Sequence, residues 1–380
     1  MSFFEVLKFE FKNIFTNIPI VLTIIGGVLF YSFFYPQPYS NEIVKTLKIS
    51  VVDLDKSELS RKLIFSLNAT PQLNIVRQDV SSNDAKKALL EGKVRGIVII
   101  PAHFKRDLAL HVSPTIAIGA DANYFLIYGS VVEGAIKSIL TQSANIKVAN
   151  LLVKNTPLSA AKKSYTPYSL NVISLFNPDM SYTHYVIPAV FILILQQTML
   201  IGLGILGGFY NERKQIYNAP IWMKLSSRVF IFGTLFFTHM LFYLGFVFEF
   251  FTLPHLARAY DIIKFGIPFL LSTIFLGTFF GGLLKNQESA TPIVLLTSLP
   301  LVFSAGFVWP KEAIPEFITY FSLFFPSTPA MQGFLKLNQM GAEFNGVLVQ
   351  YGLLWLQAVL YLTLSIYVLR RNEYKHSPHQ

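Results

Sequence analysis

The 380-residue chain contains no cysteine, and Asp, Glu, Lys and Arg together make up only 14% of it. The first absence excludes a disulfide scaffold and any cysteine-held zinc or iron–sulfur centre. The second separates the chain from soluble domains, in which about a quarter of residues are charged. The G-x-x-x-x-G-K-[ST] loop that cradles nucleotide phosphates is also missing. Gly281-Gly282-Leu283-Leu284-Lys285 carries Gly and Lys at the wrong spacing. No nucleophile stands at an informative distance from a base. No His or Glu cluster accompanies Asp53, Asp55 and Asp121, so these strand-end carboxylates read as turn and cap residues. His103 and His111 read as surface residues. Neither a catalytic site nor a metal site is expected.

Apolar surface is what the chain has in excess. Hydrophobic residues make 53% and aromatic residues 15%, with 36 Phe and 18 Tyr, and the mean hydropathy is +0.49. This composition excludes disorder. The net charge of +10 suggests nucleic acid at first sight. A membrane protein shows the same excess because Lys and Arg collect on its cytoplasmic side, so no nucleic-acid partner is expected.

About 20 apolar residues cross a bilayer. Six runs qualify: 18–35, 182–210, 229–251, 262–284, 292–309 and 347–369. The first resembles a signal peptide, but it is long and leads into Tyr35-Pro36-Gln37-Pro38-Tyr39 rather than a small-residue cleavage site, so it reads as an uncleaved span. Residues 36–181 hold no span, with 17 basic and 11 acidic residues. With the N-terminus inside, the inside segments carry Lys8, Lys12, Arg213, Lys214, Lys224, Arg228, Lys285, Arg370, Arg371 and Lys375. The short outside segments carry Arg258, Lys264, Lys311 and Lys336. The asymmetry places both termini, including the tail 370–380, in the cytoplasm, and 36–181 outside. The expected fold class is therefore an α-helical membrane protein of six transmembrane helices, with an extracytoplasmic domain inserted between helices one and two.

Residues 1–17 are amphipathic. Phe4, Leu7, Phe11, Ile14 and Phe15 share one helical face, and Glu5, Lys8 and Lys12 another, the pattern of an interfacial helix. Within 36–181 strands alternate with helices. Strands are expected at Leu47–Leu54, Leu73–Arg77, Gly96–Ile100 and Thr115–Gly119, and helices at Glu58–Leu67, Ser81–Glu91 and Tyr124–Leu152, a small α/β domain suited to binding or assembly.

The spans carry few ionisable groups: His184, His239 and Glu249. A proton-driven carrier needs such groups at depth, so energy is expected from elsewhere. Gln196, Gln197 and Thr198 read as interhelical polar glue or as part of a lining. The loop Asn211–Arg228 runs from charge through Ala219-Pro220 to Ile221-Trp222-Met223-Lys224, which reads as a docking element or as a positive-inside loop with an interfacial Trp. In Ser304–Gly341, Pro310, Pro315, Pro326 and Pro329 cut the chain into pieces too short to span. A pair of short re-entrant helices over 310–341 is expected, shielded by protein.

That segment carries a resemblance. Ser304-Ala305-Gly306-Phe307-Val308-Trp309-Pro310, Ile314-Pro315 and Phe325-Pro326-Ser327-Thr328-Pro329-Ala330 resemble the signature of the ABC-2 type permease family. Val51-Val52-Asp53-Leu54-Asp55-Lys56-Ser57 and Gly96–Phe104 resemble the outward domain of its larger export permeases. Asn211-Glu212-Arg213-Lys214 stands where that family has its Arg-Glu-Arg loop. The resemblance implies a half-transporter that dimerises, as a homodimer or with a related permease, and pairs with cytoplasmic ATPase subunits. ATP and Mg would be bound by the ATPase, with no cofactor in this chain. Glu212, Arg213, Lys214, Trp222 and Lys224 would face the ATPase, and Gln196, Gln197, Thr198, Ser304 and Phe307 would line the substrate path. The family's Gly-Thr after the charged run is replaced by Gln215-Ile216-Tyr217-Asn218. The expected function is export of hydrophobic or amphipathic cargo from the inner membrane, with a periplasmic adaptor as a further partner. The alternatives are a membrane-anchored sensor or assembly factor, which would need only one or two spans, and an ion-coupled carrier.

Overall fold

The computed structural model describes residues 1–39, 46–110, 112–153, 156–160, 175–177, 181–214, 217, 219–306, 308–309 and 311–376. Phe307, Pro310, His111, Gln215, Ile216 and Asn218 lie outside the described residues. The chain divides into two compact units, Met1–Ser40 with Ser174–Gln380, and Asn41–Ile173.

The smaller unit is a four-stranded sheet in the order β2-β1-β3-β4, formed by β1 (Leu47–Asp53), β2 (Leu73–Asp79), β3 (Gly96–Ile100) and β4 (Ala117–Ala120). β1 runs parallel to β2 and β3, and β4 closes one edge antiparallel to β3. The central strands are nearly continuous in apolar residues because both faces are covered. Ile49, Val51, Val98 and Ile100 are fully buried, with Leu63 and Leu67 of helix α3 (Glu58–Asn68) against them. Ser57 caps α3 and Ser81 caps α4 (Ser82–Leu90), each accepting from a backbone N–H three residues on. A short helix α5 (Phe104–Ala109), unforeseen in the sequence, starts at His103, whose φ is +63°. Helix α6 (Phe125–Val153) packs Val131 and Ala135 on the sheet. Asp53 accepts from the backbone N–H groups of Asp55 and Lys56 and from Ser60 Oγ, and Asp121 accepts from Asn123, so both shape turns.

The larger unit is helical. Helix α1 (Phe3–Thr16) opens with a reciprocal capping box between Ser2 and Glu5. Asn17 ends α1 and caps the next helix, α2 (Ile18–Phe34), by accepting from Ile20 N–H. The two are bent by 81° at that residue. Then come α7 (Tyr182–Glu212), α8 (Ile221–Phe250), α9 (Ala259–Leu283), α10 (Ala290–Ser304), α11 (Glu316–Ser322), α12 (Ser327–Phe334) and α13 (Leu348–His376). Among the described residues four of these are long and apolar enough to cross a membrane (α7, α8, α9 and α13), and the bent pair α1–α2 makes a fifth if it is one span.

Six spans are not reached on that criterion, and the shortfall is α10. The expected run 292–309 stops as a helix at Ser304, and its 15 residues reach about 22 Å at 1.5 Å per residue, short of the roughly 30 Å of hydrocarbon. Gly306, at φ +84°, takes a left-handed conformation that a helix cannot continue through. Two short helices follow, as the proline spacing predicts. Pro315 stands at the start of α11 and Pro326 at the start of α12, where a missing N–H costs nothing.

α7 is the central post, sheathed on nearly all sides. It crosses α9 closely enough that backbones touch. A Cβ added at Gly207 would stand 2.3 Å from the Gly281 carbonyl carbon, so only glycine fits there. Tyr243, in a π-helical stretch of α8 (Phe242–Val247), donates to the Val28 carbonyl of α2 at 2.9 Å and stacks on Phe191 of α7 with centroids 4.4 Å apart.

Candidate functional site: a buried ionic cluster and a polar string

The amphipathic reading of residues 1–17 needs correction in its faces. α1 turns Val6, Glu10 and Ile14 inward, while Phe4 and Phe11 are exposed. The inward stripe has a carboxylate at its centre. Glu10 is fully buried, and Tyr210 Oη of α7 donates to its Oε2 at 2.9 Å. Tyr217 Oη donates to Oε1 at 2.5 Å, and Arg228 Nε of α8 donates to the same oxygen at 3.2 Å. Asn13 donates to Tyr210 Oη. A buried carboxylate is tolerable only when paired and hydrogen-bonded, and three side chains from α7, α8 and the loop between them meet that need. The cost of leaving water and the Glu10 carboxylate both push the Tyr217 phenol above its ordinary range, so Tyr217 is a fixed donor.

The cluster continues sideways. Lys224 Nζ donates to Glu373 of α13 at 2.5 Å and lies 4.5 Å from the Tyr217 ring centroid. Asn211 donates to the Gly282 and Leu284 carbonyls at the end of α9, and Asn372 donates to Asn211 and Gly282. These bonds satisfy carbonyls that a helix terminus leaves open. Five elements are thus tied at one end of the bundle by polar side chains.

Of the residues the resemblance places opposite an ATPase, Glu212, Arg213, Lys214 and Trp222 are exposed. Arg213 lies over the Phe209 ring at 4.5 Å, and Lys214 takes a left-handed φ of +48°. Lys224 is buried and engaged inside the cluster. Its place in the chain gave no sign of this, because its partner lies 149 residues on.

Of the expected substrate-path residues, Gln196 stands at the α7–α12 contact, and Phe307 lies outside the described residues. Gln196 Oε1 accepts from the Ser327 backbone N–H at 2.5 Å, which holds the start of α12 against α7. Thr198 Oγ1 donates to the Ile194 carbonyl of its own helix. Ser304 is buried and donates weakly to the Leu301 carbonyl at 3.4 Å. Gln197 is buried with neither amide atom hydrogen-bonded, and Gln196 Nε2, Ser327 Oγ and Thr328 Oγ1 are in the same condition. Across the segment, Gln357 and Tyr361 of α13 donate to the Leu323 and Phe324 carbonyls that end α11, and Gln332 donates to the Ala305 carbonyl. His239 packs edge-on against Phe236 and has no carboxylate among its described contacts.

Sequence reasoning missed Glu10 and the depth of Arg228. One signal was available: Val6, Glu10 and Ile14 repeat at four-residue spacing, so a carboxylate interrupts an otherwise apolar stripe.

A bundle of long apolar helices, with polar groups joining its members and a charged loop at one end, is the architecture of an integral membrane protein. Residues 14–367 match the model of the ABC-2 family transporter proteins, and the chain belongs to that family. It is similar to the inner membrane transport permease YhhJ of Escherichia coli (strain K12), 21% identical over 348 residues that cover 85% of each chain. It is similar to the same degree to the Shigella flexneri permease of that name.

Proposed function

We propose that the protein is the membrane subunit of an ATP-driven exporter of the inner membrane, moving hydrophobic or amphipathic cargo outward. A separate ATPase binds ATP and Mg. Two copies form the permease, both termini are cytoplasmic, and residues 36–181 stand outside. Family membership and the Lys/Arg asymmetry of the loops support this reading. The observation that carries the coupling claim is the Tyr217–Glu10–Arg228 cluster. A force on the loop after α7 is delivered to α1 and α8 through short, buried, charge-assisted bonds rather than through a flexible tether. Exposed Glu212, Arg213, Lys214 and Trp222 meet the ATPase, and Lys224 holds the loop to α13. Gln196, Gln197 and the start of α12 line the path.

The experiment is co-purification with the cognate ATPase and ATP-dependent uptake of cargo into inverted vesicles, which is the export direction. Arg213→Ala with Lys214→Ala is expected to lower ATP-dependent uptake while the protein stays folded. Uptake that persists without any ATPase, or that stops when only the proton gradient is collapsed, would refute the reading.

A further inference from the structure

Helix α6 is longer than the sheet that supports it. Its 29 residues extend about 44 Å at 1.5 Å per residue, whereas a seven-residue strand reaches about 23 Å. The half up to Ser138 is fully used. Val131 lies over Gly96, Gly134 lies against Gln72 and Leu73, and Ser138 Oγ is 2.5 Å from Thr70 Oγ1. Beyond Ser138 the same helical stripe continues as Ile139, Gln142, Ser143, Ile146, Lys147 and Asn150, with no strand beneath it among the described residues. A cavity of about 350 Å³ opens there, walled opposite by Leu63, Phe104 and Leu108 and edged by Val112–Ile116.

The lining changes character along its length. The inner wall is apolar, with Leu63 and Phe104 almost fully buried. The helical wall mixes Ile139 and Ile146 with amide, hydroxyl and ammonium groups, and Val112 at the mouth is 55% exposed. A cavity of this size lies at the low end of the range for small-molecule sites, which are mostly apolar with a few placed polar groups. It has room for one chain, not for a two-chain lipid. Lys147 at the rim, and the excess of 17 basic over 11 acidic residues in 36–181, favour a negative head.

We infer that this cavity binds a single-chain amphiphile with an anionic head, its tail against Leu63, Phe104 and Ile139 and its head at Lys147 and Asn150. The inference stands whether or not an ATPase drives the protein, since it concerns binding to residues 63–150 alone.

The test is photo-crosslinking of the full chain in phosphatidylcholine nanodiscs with dodecanoate carrying a terminal diazirine, mapped by peptide mass spectrometry. Labelling is expected on peptides holding Phe104–Leu108 and Ile139–Asn150. Dodecanoate and a lysophosphatidylglycerol are competed separately to distinguish a free fatty acid from a lysolipid. Dodecanol should compete about tenfold less well, the loss of one charge-assisted bond. Ile146→Trp fills the cavity and should abolish labelling there. Lys147→Glu, at an exposed position, should weaken competition by the anions about tenfold and leave dodecanol unchanged. Three results would overturn the inference: labelling confined to the spans, labelling indifferent to both variants, or crosslinks from Ser143→Cys to residues 154–173. The last would mean that the chain itself fills the space.

Discussion

Glu10→Ala should release α1 from the bundle. The substitution removes the carboxylate and leaves Arg228, 3% exposed, as a buried charge without its counter-ion. Breaking one partner of such a pair costs about 3–5 kcal/mol. The penalty falls on the equilibrium that docks α1, because the other partners of Glu10 are Tyr210, Tyr217 and Arg228, on elements that pack together without it. At about 1.4 kcal/mol per tenfold, the undocked population rises by two to three orders of magnitude. Lys8 and Lys12 lie within α1, so trypsin under native conditions reads that population as long as docking is fast relative to cleavage. Glu10→Gln keeps an acceptor and should fall between. Glu10→Leu with Arg228→Met should recover most of the protection, since replacing both members of a buried pair by apolar groups is often neutral. A remaining deficit of about 1–3 kcal/mol is expected from the tyrosine hydroxyls left without an acceptor, and Tyr217→Phe should reduce it. If Glu10→Ala is cleaved at the parent rate, or if Arg228→Met fails to rescue it, the cluster does not hold the helix.

Three further outcomes are expected. Gly207→Ala should lower thermal stability by about 1–3 kcal/mol or abolish the folded form, read by fluorescence-detected size exclusion, because the Gly281 backbone cannot move aside as a side chain would. Gln197→Leu should keep or raise the melting temperature, since an unbonded buried amide costs free energy, yet lower cargo efflux if the α7–α12 contact is the path. A fall in stability together with unchanged efflux would remove Gln197 from it. In the smaller unit, the Arg77 guanidinium and then Ser50 Oγ hold the Asp79 carboxyl below its ordinary value near 3.8. The stability this contributes is present above that value and is lost as pH falls through the lower, folded value. Amide protection factors in β1 and β2, relative to the intrinsic rate at each pH, should therefore fall in acid, and fall less in Asp79→Asn.

What was legible in the sequence followed from periodicity and punctuation. β1 and β3, the helix between them at Glu58–Leu67 and the breaks at Pro315 and Pro326 all rest on residues within a few positions of one another. The family was legible for the same reason, through a proline-rich run of consecutive residues. The ionic cluster was not, because its members lie as far as 218 positions apart and each has an ordinary local explanation. Lys224 looks like a positive-inside residue until Glu373 is placed beside it. α5 escaped because six residues carry too little period, and the early end of α10 depends on the backbone at Gly306, which hydropathy does not see.

The bend at Asn17 sets an order of events in biogenesis. α1 and α2 precede, in synthesis, the groups that neutralise Glu10: Tyr210, Tyr217 and Arg228 follow it by 200, 207 and 218 residues. At about 5–20 residues per second, that gap is roughly 10–40 s of synthesis. Throughout it the carboxylate is without those partners, and the 81° bend between α1 and α2 lets α1 stay out of line with the apolar helix that follows, where a straight continuation would not. Helix α1 is thus a latch that can close only after the helices it locks have been made.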